Sequence, residues 1–150
     1  MNYLVIPAYK PDLNLLHLLQ KVKEKSSLQI IVVNDGSPTS YDSIFQKAQK
    51  YATVLCYMTN QGKGQALKTA FSYIDSLGQY GTVVTADADG QHKVWDIFRV
   101  SKKAQENPNH LIMGARSFSS NVPLRSAFGN KLTRFLFKQQ TGVSVTDTQT

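Results

Sequence analysis

Five short apolar runs, each followed by a longer stretch with helical periodicity, restrict this sequence more than any other feature. They are YLVIP before Leu13 to Lys25, LQIIVVND before Tyr41 to Tyr51, TVLCYM before Gly64 to Leu77, TVVTAD before Val94 to Ala104, and LIMGA before Leu124 to Gln139. The runs are continuously apolar rather than alternating, which suits strands covered on both faces. The pattern predicts an α/β fold: a mostly parallel, doubly wound sheet between two helical layers, three layers in all. Leu15, Leu16, Leu19 and Val22 make one apolar stripe on the first helix, and Leu67, Ala70, Phe71 and Ile74 make another on the third. NDGSPTS closes the second strand and offers Ser and Thr caps to the next helix, while Gly78 and Gly81 bracket the return to the fourth strand.

At 150 residues and 41% hydrophobic, the chain fits one domain, 1–150, because domains cluster at about 100–150 residues around a single core. Charged residues make up 18%, fewer than the ~25% typical of soluble domains, which argues against disorder. The formal net charge is +7, so the surface attracts anions: nucleic acid, anionic lipid or phosphorylated small molecules. The excess is concentrated in Arg116, Arg125, Lys131, Arg134 and Lys138, with no acidic residue between Ala115 and Thr146. The single Cys56 rules out an intrachain disulfide, and between Leu55 and Tyr57 it reads as a small buried residue in a reducing cytosol. No run reaches the ~18 apolar residues of a membrane span, and the N-terminus lacks the regions of a signal peptide. A soluble, cytoplasmic chain is expected.

In open α/β sheets, ligands bind beyond the carboxyl ends of the strands. That rim carries Pro7, Ala8 and Tyr9, then Asn34 to Ser37, Asn60 to Gly64, Asp87 to Asp89, and Gly114 to Arg116. In VVTADADGQH, Asp87 and Asp89 end a strand, and alternate residues of an extended segment point to one side, so their carboxylates are placed to meet on one cation. A carboxylate near an apolar strand end needs a positive partner. With no clustered Cys or His, Mg²⁺ or Mn²⁺ suits these oxygen donors better than zinc, substrate phosphates filling the remaining positions. Gln91 can add a carbonyl oxygen. The same DADG also reads as a turn closed by its own aspartates. Asp35, followed by Gly36 and Ser37, is placed to accept from a ribose hydroxyl or a base edge, or to close an Asx-turn.

NQGKGQALKTAF sets a Gly-Lys-Gly turn at a helix N-terminus, where Lys63 and the backbone favour an anion. It half matches a dinucleotide fingerprint, which would point to an NAD enzyme. The match fails because the third glycine would be Leu67 and the motif follows the third strand; no P-loop is present either. Arg116 and Arg125 suit phosphate through their guanidinium forks, or are solvated surface groups. Leu124, Phe128, Leu132, Phe135 and Leu136 give the last helix an apolar face and leave a basic one. This reads as a packed helix with a basic outer surface, with peripheral contact to an anionic membrane as the alternative. Exposed aromatics interleaved with the basic residues are lacking, which argues against nucleic acid. His17 and His110 read as surface or core residues and Trp95 as packing, and His92, which follows the carboxylate pair, is not assigned as a ligand.

Taken in order, VIPAYKP, IIVVNDGS, NQGKGQALKTAF, VVTADADGQH, LIMGAR and the stretch from Val122 to Thr150 resemble the family 2 glycosyltransferases. The likeness is strongest to the dolichyl- and polyprenyl-phosphate sugar transferases and spans essentially the whole chain. It implies a GT-A fold and inverting transfer from a nucleotide-diphosphate sugar, UDP- or GDP-linked. It also implies that Pro7, Ala8 and Tyr9 line the nucleotide pocket, Asp35 binds base or ribose, and Lys63 lies near the phosphates. Asp87, Asp89 and Gln91 would hold Mg²⁺ or Mn²⁺ against the diphosphate, and Arg116 and Arg125 would face the transferred or acceptor phosphate. Two departures stand out: KPD replaces the Asn-Glu-Glu often found in relatives, and TDTQT stops where relatives continue. The chain is therefore expected to be the catalytic N-terminal part of a longer protein working at the cytoplasmic face of a membrane.

The implied chemistry follows from charge. Negative charge grows on the departing diphosphate, and a divalent ion with Lys or Arg stabilises it. A lipid-phosphate acceptor is already ionised, its second pKa being ~6, and needs no strong base. A glycan hydroxyl acceptor does need one, and Asp147 is the acidic residue available for it. Two rival readings are a sugar-1-phosphate nucleotidyltransferase, disfavoured because PAYKPDLN lacks a glycine-rich loop, and a nucleotide-binding fragment without turnover.

Overall fold

Tyr3 to Ala8 are all buried, and alternate side chains serve opposite layers. In the computed structural model, which describes residues 1–114, this first strand is β1 (Asn2–Ala8). It is followed by α1 (Leu13–Lys25), β2 (Gln29–Asp35), a 3-10 turn (Thr39–Tyr41), α2 (Asp42–Ala48), β3 (Thr53–Tyr57), α3 (Lys63–Ser76), β4 (Thr82–Thr85) and α4 (Val94–Glu106). All described pairings are parallel, in the order β3-β2-β1-β4. Met1–Ile112 form one compact unit.

Leu4, Ile6, Ile30 and Val32 meet Leu15, Leu19 and Val22 of α1, Phe45 of α2 and Ile97 of α4 on one face. Tyr3, Val5, Ile31 and Val33 meet Ala66, Ala70 and Ile74 of α3 on the other. This is the expected three-layer α/β fold, of GT-A type. The chain steps outward from β1 to β3 with α1 and α2 on the first face, then turns back across the sheet to β4 with α3 on the second. Reversing both direction and face keeps one crossover hand throughout, as parallel sheets require.

Four sequence expectations are corrected. LIMGA does not supply a fifth strand: residues 111–114 carry no strand, and Leu111 is 88% exposed. The α3 stripe holds for Ala70 and Ile74, with Leu67 packed against them, and adds the small residue Ala66, but Phe71 is 44% exposed. Cys56 is exposed rather than buried, because β3 pairs with β2 alone and is incompletely covered. Trp95 is mostly outside the core, set edge-on to Phe98 with Lys25 Nζ 5.2 Å from its ring centroid.

Pro7 explains why the sheet opens where it does. Val5 O accepts from Ala86 N at 3.0 Å, and Val5↔Thr85 is the last β1–β4 pair. Position 7 turns its backbone nitrogen to that same side, just past the ladder, where proline's missing donor leaves nothing unsatisfied. β1 runs on beside β2 as far as Ala8↔Asn34. The strands part between β1 and β4, the point at which the winding reverses.

Candidate functional site

The loops after β1 and β2 are tied together: Ser37 Oγ accepts from Lys10 N at 2.9 Å, and Ser37 N donates to Asn34 Oδ1 at 2.9 Å. Ser37 thus links two loops instead of capping the next helix, as its sequence position suggested. Asp35 is 3% exposed. Its Oδ1 accepts from Gln61 N at 2.8 Å, and its Oδ2 accepts from Asn60 Nδ2 at 3.0 Å. The same Asn60 nitrogen donates to Asp35 O at 3.1 Å. Asp35 is therefore fixed by the β3–α3 loop and not by a local Asx-turn. Gly36 makes this possible: at φ 64° it adopts a left-handed conformation, and a Cβ would collide with the Thr59–Asn60 backbone. Beneath it, burial and then the Asp35 charge hold the Tyr57 phenol above its usual pKa, so this neighbour stays neutral.

Asp87 lies just past the end of β4. Lys63 Nζ, from the first residue of α3, approaches its Oδ1 to 2.6 Å, and His92 Nε2 lies 3.5 Å from Oδ2. Burial would raise this carboxyl's pKa, but the hydrogen bond and charge of Lys63, with His92, outweigh it and hold Asp87 below the usual carboxylate range. The positive partner demanded by the strand end is thus Lys63 of the chain itself, with the His92 imidazole beside it.

The extended run stops at Thr85 and residues 88–89 form a turn, so strand alternation does not relate Asp87 to Asp89. Asp89 is exposed and its Oδ1 accepts from Gln91 N at 2.9 Å, so the local-turn reading holds for this residue. Gly90, at φ 75°, carries the turn against Asn14 of α1.

Between these loops lies an open cleft of about 300 Å³, lined by Pro7, Ala8, Tyr9, Asp35, Asn60, Gly62 and Lys63. Five residues singled out from the sequence, Pro7, Ala8, Tyr9, Asp35 and Lys63, therefore share one cavity, and Asp87 joins it through Lys63. Arg116, Arg125 and Asp147, with the helix expected from Leu124, lie outside the described residues. Sequence reasoning set Asn60 on the rim and His92 after the carboxylate pair but gave neither a role. His92 stands five residues after Asp87, a usable signal, whereas nothing local discloses that Asn60 meets Asp35.

Among the described residues, no three His, Cys, Asp or Glu side chains gather around one point. Zinc is therefore poorly served by the described residues. Mg²⁺ or Mn²⁺ take one or two protein carboxylates and complete their shell with phosphate and water; Asp87, beside the cleft-lining Lys63, is a carboxylate that fits such an ion, while Asp89 is engaged in its own turn.

The chain matches the family model described as Glycosyl transferase family 2 over residues 3–148. It is 29% identical over 130 residues to an uncharacterized protein of Methanocaldococcus jannaschii, covering 84% of this chain and 56% of that one. A second uncharacterized protein of the same organism is 30% identical over 152 residues, with 98% and 61% covered. The UDP-N-acetylglucosamine--dolichyl-phosphate N-acetylglucosaminyltransferase of Methanococcus voltae is 26% identical over 166 residues, with 98% and 66% covered. The chain thus spans less than two thirds of the length of the curated relatives it matches, 56% to 66%.

Proposed function

The chain belongs to glycosyl transferase family 2, and from that premise we propose that it binds a UDP- or GDP-sugar at the β1/β4 crevice. The sugar then passes, with inversion, to a lipid phosphate of the polyprenyl or dolichyl class. The observation that carries this reading is the convergence of a fixed carboxylate, Asp35, and a paired cation and carboxylate, Lys63 and Asp87, on one cleft at the sheet's switch point.

Pro7, Ala8 and Tyr9 form the wall against which the nucleoside lies. Asp35, already pinned by Asn60 and Gln61, accepts from its base or ribose. Lys63 turns toward the diphosphate and offsets the charge that grows there as the sugar leaves. Asp87 and Asp89, with Gln91, are the residues that would hold Mg²⁺ or Mn²⁺, which when bound supplies further neutralisation of the leaving group. Arg116 and Arg125 are assigned to the acceptor phosphate, whose oxygens are ionised near neutral pH and attack without a strong base. Asp147 is the base only if the acceptor is a glycan hydroxyl.

The net charge of +7 supports contact with an anionic membrane from its cytoplasmic side. No helix among the described residues is long and apolar enough to cross a membrane. The partial span of the relatives favours a narrower second reading, in which this stretch binds the donor and the remaining length completes the acceptor side.

Titration calorimetry with UDP, GDP and NAD, with and without Mn²⁺, tests the donor assignment. Mn²⁺-dependent binding of a nucleoside diphosphate, lost in Asp89→Ala with unchanged circular dichroism, is the expected result. Tight, metal-independent NAD binding overturns it.

A further inference from the structure

Lys63 borders two places at once. Its ammonium lies 2.6 Å from Asp87 Oδ1, and its side chain also lines the cleft shared with Tyr9 and Asp35. The side chain is 51% exposed against 34% for Asp87, so the pair stands at the surface of the crevice with water available to either partner once they separate. The backbone around it is not wedged in place: a Cβ built on either neighbour, Gly62 or Gly64, would meet nothing within 4 Å. The first turn of α3 carries no acidic residue and no side-chain cap, leaving its positive end open to an anion.

A partly buried carboxylate at a strand end is costly to leave without a compensating charge or hydrogen bonds. Without ligands, Lys63 and His92 meet that need. A divalent ion on Asp87 would compete with Lys63 for the same carboxylate, and two cations beside it repel. The two arrangements therefore disfavour each other.

We propose that Lys63 is a resident counter-ion of Asp87 that a divalent cation displaces. The lysine passes from the carboxylate to the donor's diphosphate, so that metal and nucleotide load together. This rests on the donor reading above and adds to it a coupling between two ligands that need not touch the same protein atoms. A diphosphate that draws Lys63 into the cleft uncovers Asp87 for the metal. A metal that takes Asp87 frees Lys63 for the diphosphate. Because the linkage is reciprocal, each ligand must tighten the other by the same factor. The device also explains why a lysine, with its flexible stem and compact ammonium, suits this position better than an arginine held by a two-pronged pair.

The test is Mn²⁺ binding to the chain by electron paramagnetic resonance, without nucleotide and then at saturating UDP or GDP. The wild-type chain is expected to bind Mn²⁺ weakly alone and about tenfold more tightly with nucleoside diphosphate, within the usual range of coupling between sites. Lys63→Met should bind Mn²⁺ alone about tenfold more tightly than wild type and show a smaller enhancement by the nucleotide, the part due to direct phosphate–metal contact remaining. Lys63→Gln should repeat that result, while Lys63→Arg, which keeps a cation on Asp87, should retain weak binding of the metal alone. Unchanged or weaker Mn²⁺ binding in Lys63→Met and Lys63→Gln, both folded by circular dichroism, overturns the exchange. In that case, Mn²⁺-dependent nucleotide binding by the wild-type chain would leave the donor reading standing. A wild-type chain showing no Mn²⁺-dependent nucleotide binding overturns both.

Discussion

Asp35 and Asp87 stand at the ends of neighbouring parts of one sheet, yet they are held in opposite ways. Asp35 is 3% exposed and its carboxylate is met by neutral amide donors, a backbone N–H and an asparagine. Asp87 has a side chain 34% exposed and is met by an ammonium and an imidazole at the ends of side chains that can turn elsewhere. Neutral donors fixed in a loop make a rigid anchor, suited to a group recognised the same way in every cycle. A cationic partner on a flexible stem, Lys63, makes an exchangeable one, suited to a place where charge arrives and departs. On the proposed reading, the β2 side of the rim orients a ligand and the β4 side responds to its charge.

This contrast can be broken first at its rigid end. Gly36→Ala should cost about 3 kcal/mol or more, combining a left-handed backbone with a backbone collision, and urea denaturation will read it as a lower midpoint. Asp35→Ala should cost about 1–3 kcal/mol through unsatisfied partners, Asn60 and the Gln61 N–H. It should also abolish nucleotide binding by calorimetry, which distinguishes anchoring from simple packing.

At the exchangeable end the stability effects should be small. Lys63→Met, in the absence of ligands, should shift stability by no more than about 1 kcal/mol, as exposed ion pairs do. An effect as large as that of Asp35→Ala would erase the contrast. Because Asp87's folded pKa is depressed, its contribution is present above the unfolded value of ~3.9 and is lost as pH falls through the lower folded value. The stability difference between wild type and Asp87→Asn should therefore shrink as the pH falls below about 4. Smallest of all, Glu106→Gln, which breaks an exposed pair with Lys103 at the end of α4, should leave Tm unchanged within error.

How much of this was readable in the sequence depended on whether the signal was local. α1 runs from Leu13 to Lys25 as its periodicity predicts, because an N-capping Asp12 and an unbroken apolar stripe both mark it. β1 and β2, buried on both faces, announce themselves as continuous apolar runs. LIMGA has the same look, but an apolar run becomes a strand only where a neighbour supplies backbone partners, and residues 111–114 have none in the described sheet. Scoring apolar size found Ala70 and Ile74 on the inner face of α3 but put Phe71 there too, where close approach favoured Ala66.

The rim of the site was readable, because Asp35, Lys63 and Asp87 each follow a strand and lie beside glycines or turn residues. Its wiring was not. The bond from Asn60 to Asp35 spans 25 positions, and the pairing of Lys63 with Asp87 depends on β3 and β4 lying on opposite sides of the β1–β2 pair.

The account rests on a nucleoside diphosphate lying in the crevice between β1 and β4, and backbone amide NMR with UDP or GDP plus Mg²⁺ tests this most directly. Shifts clustered at Ala8 to Lys10, Asp35 to Ser37, Asn60 to Gly64 and Asp87 to His92 are the predicted result. Shifts confined to the opposite end of the sheet, around Phe71, Tyr80 and Val83, would contradict it.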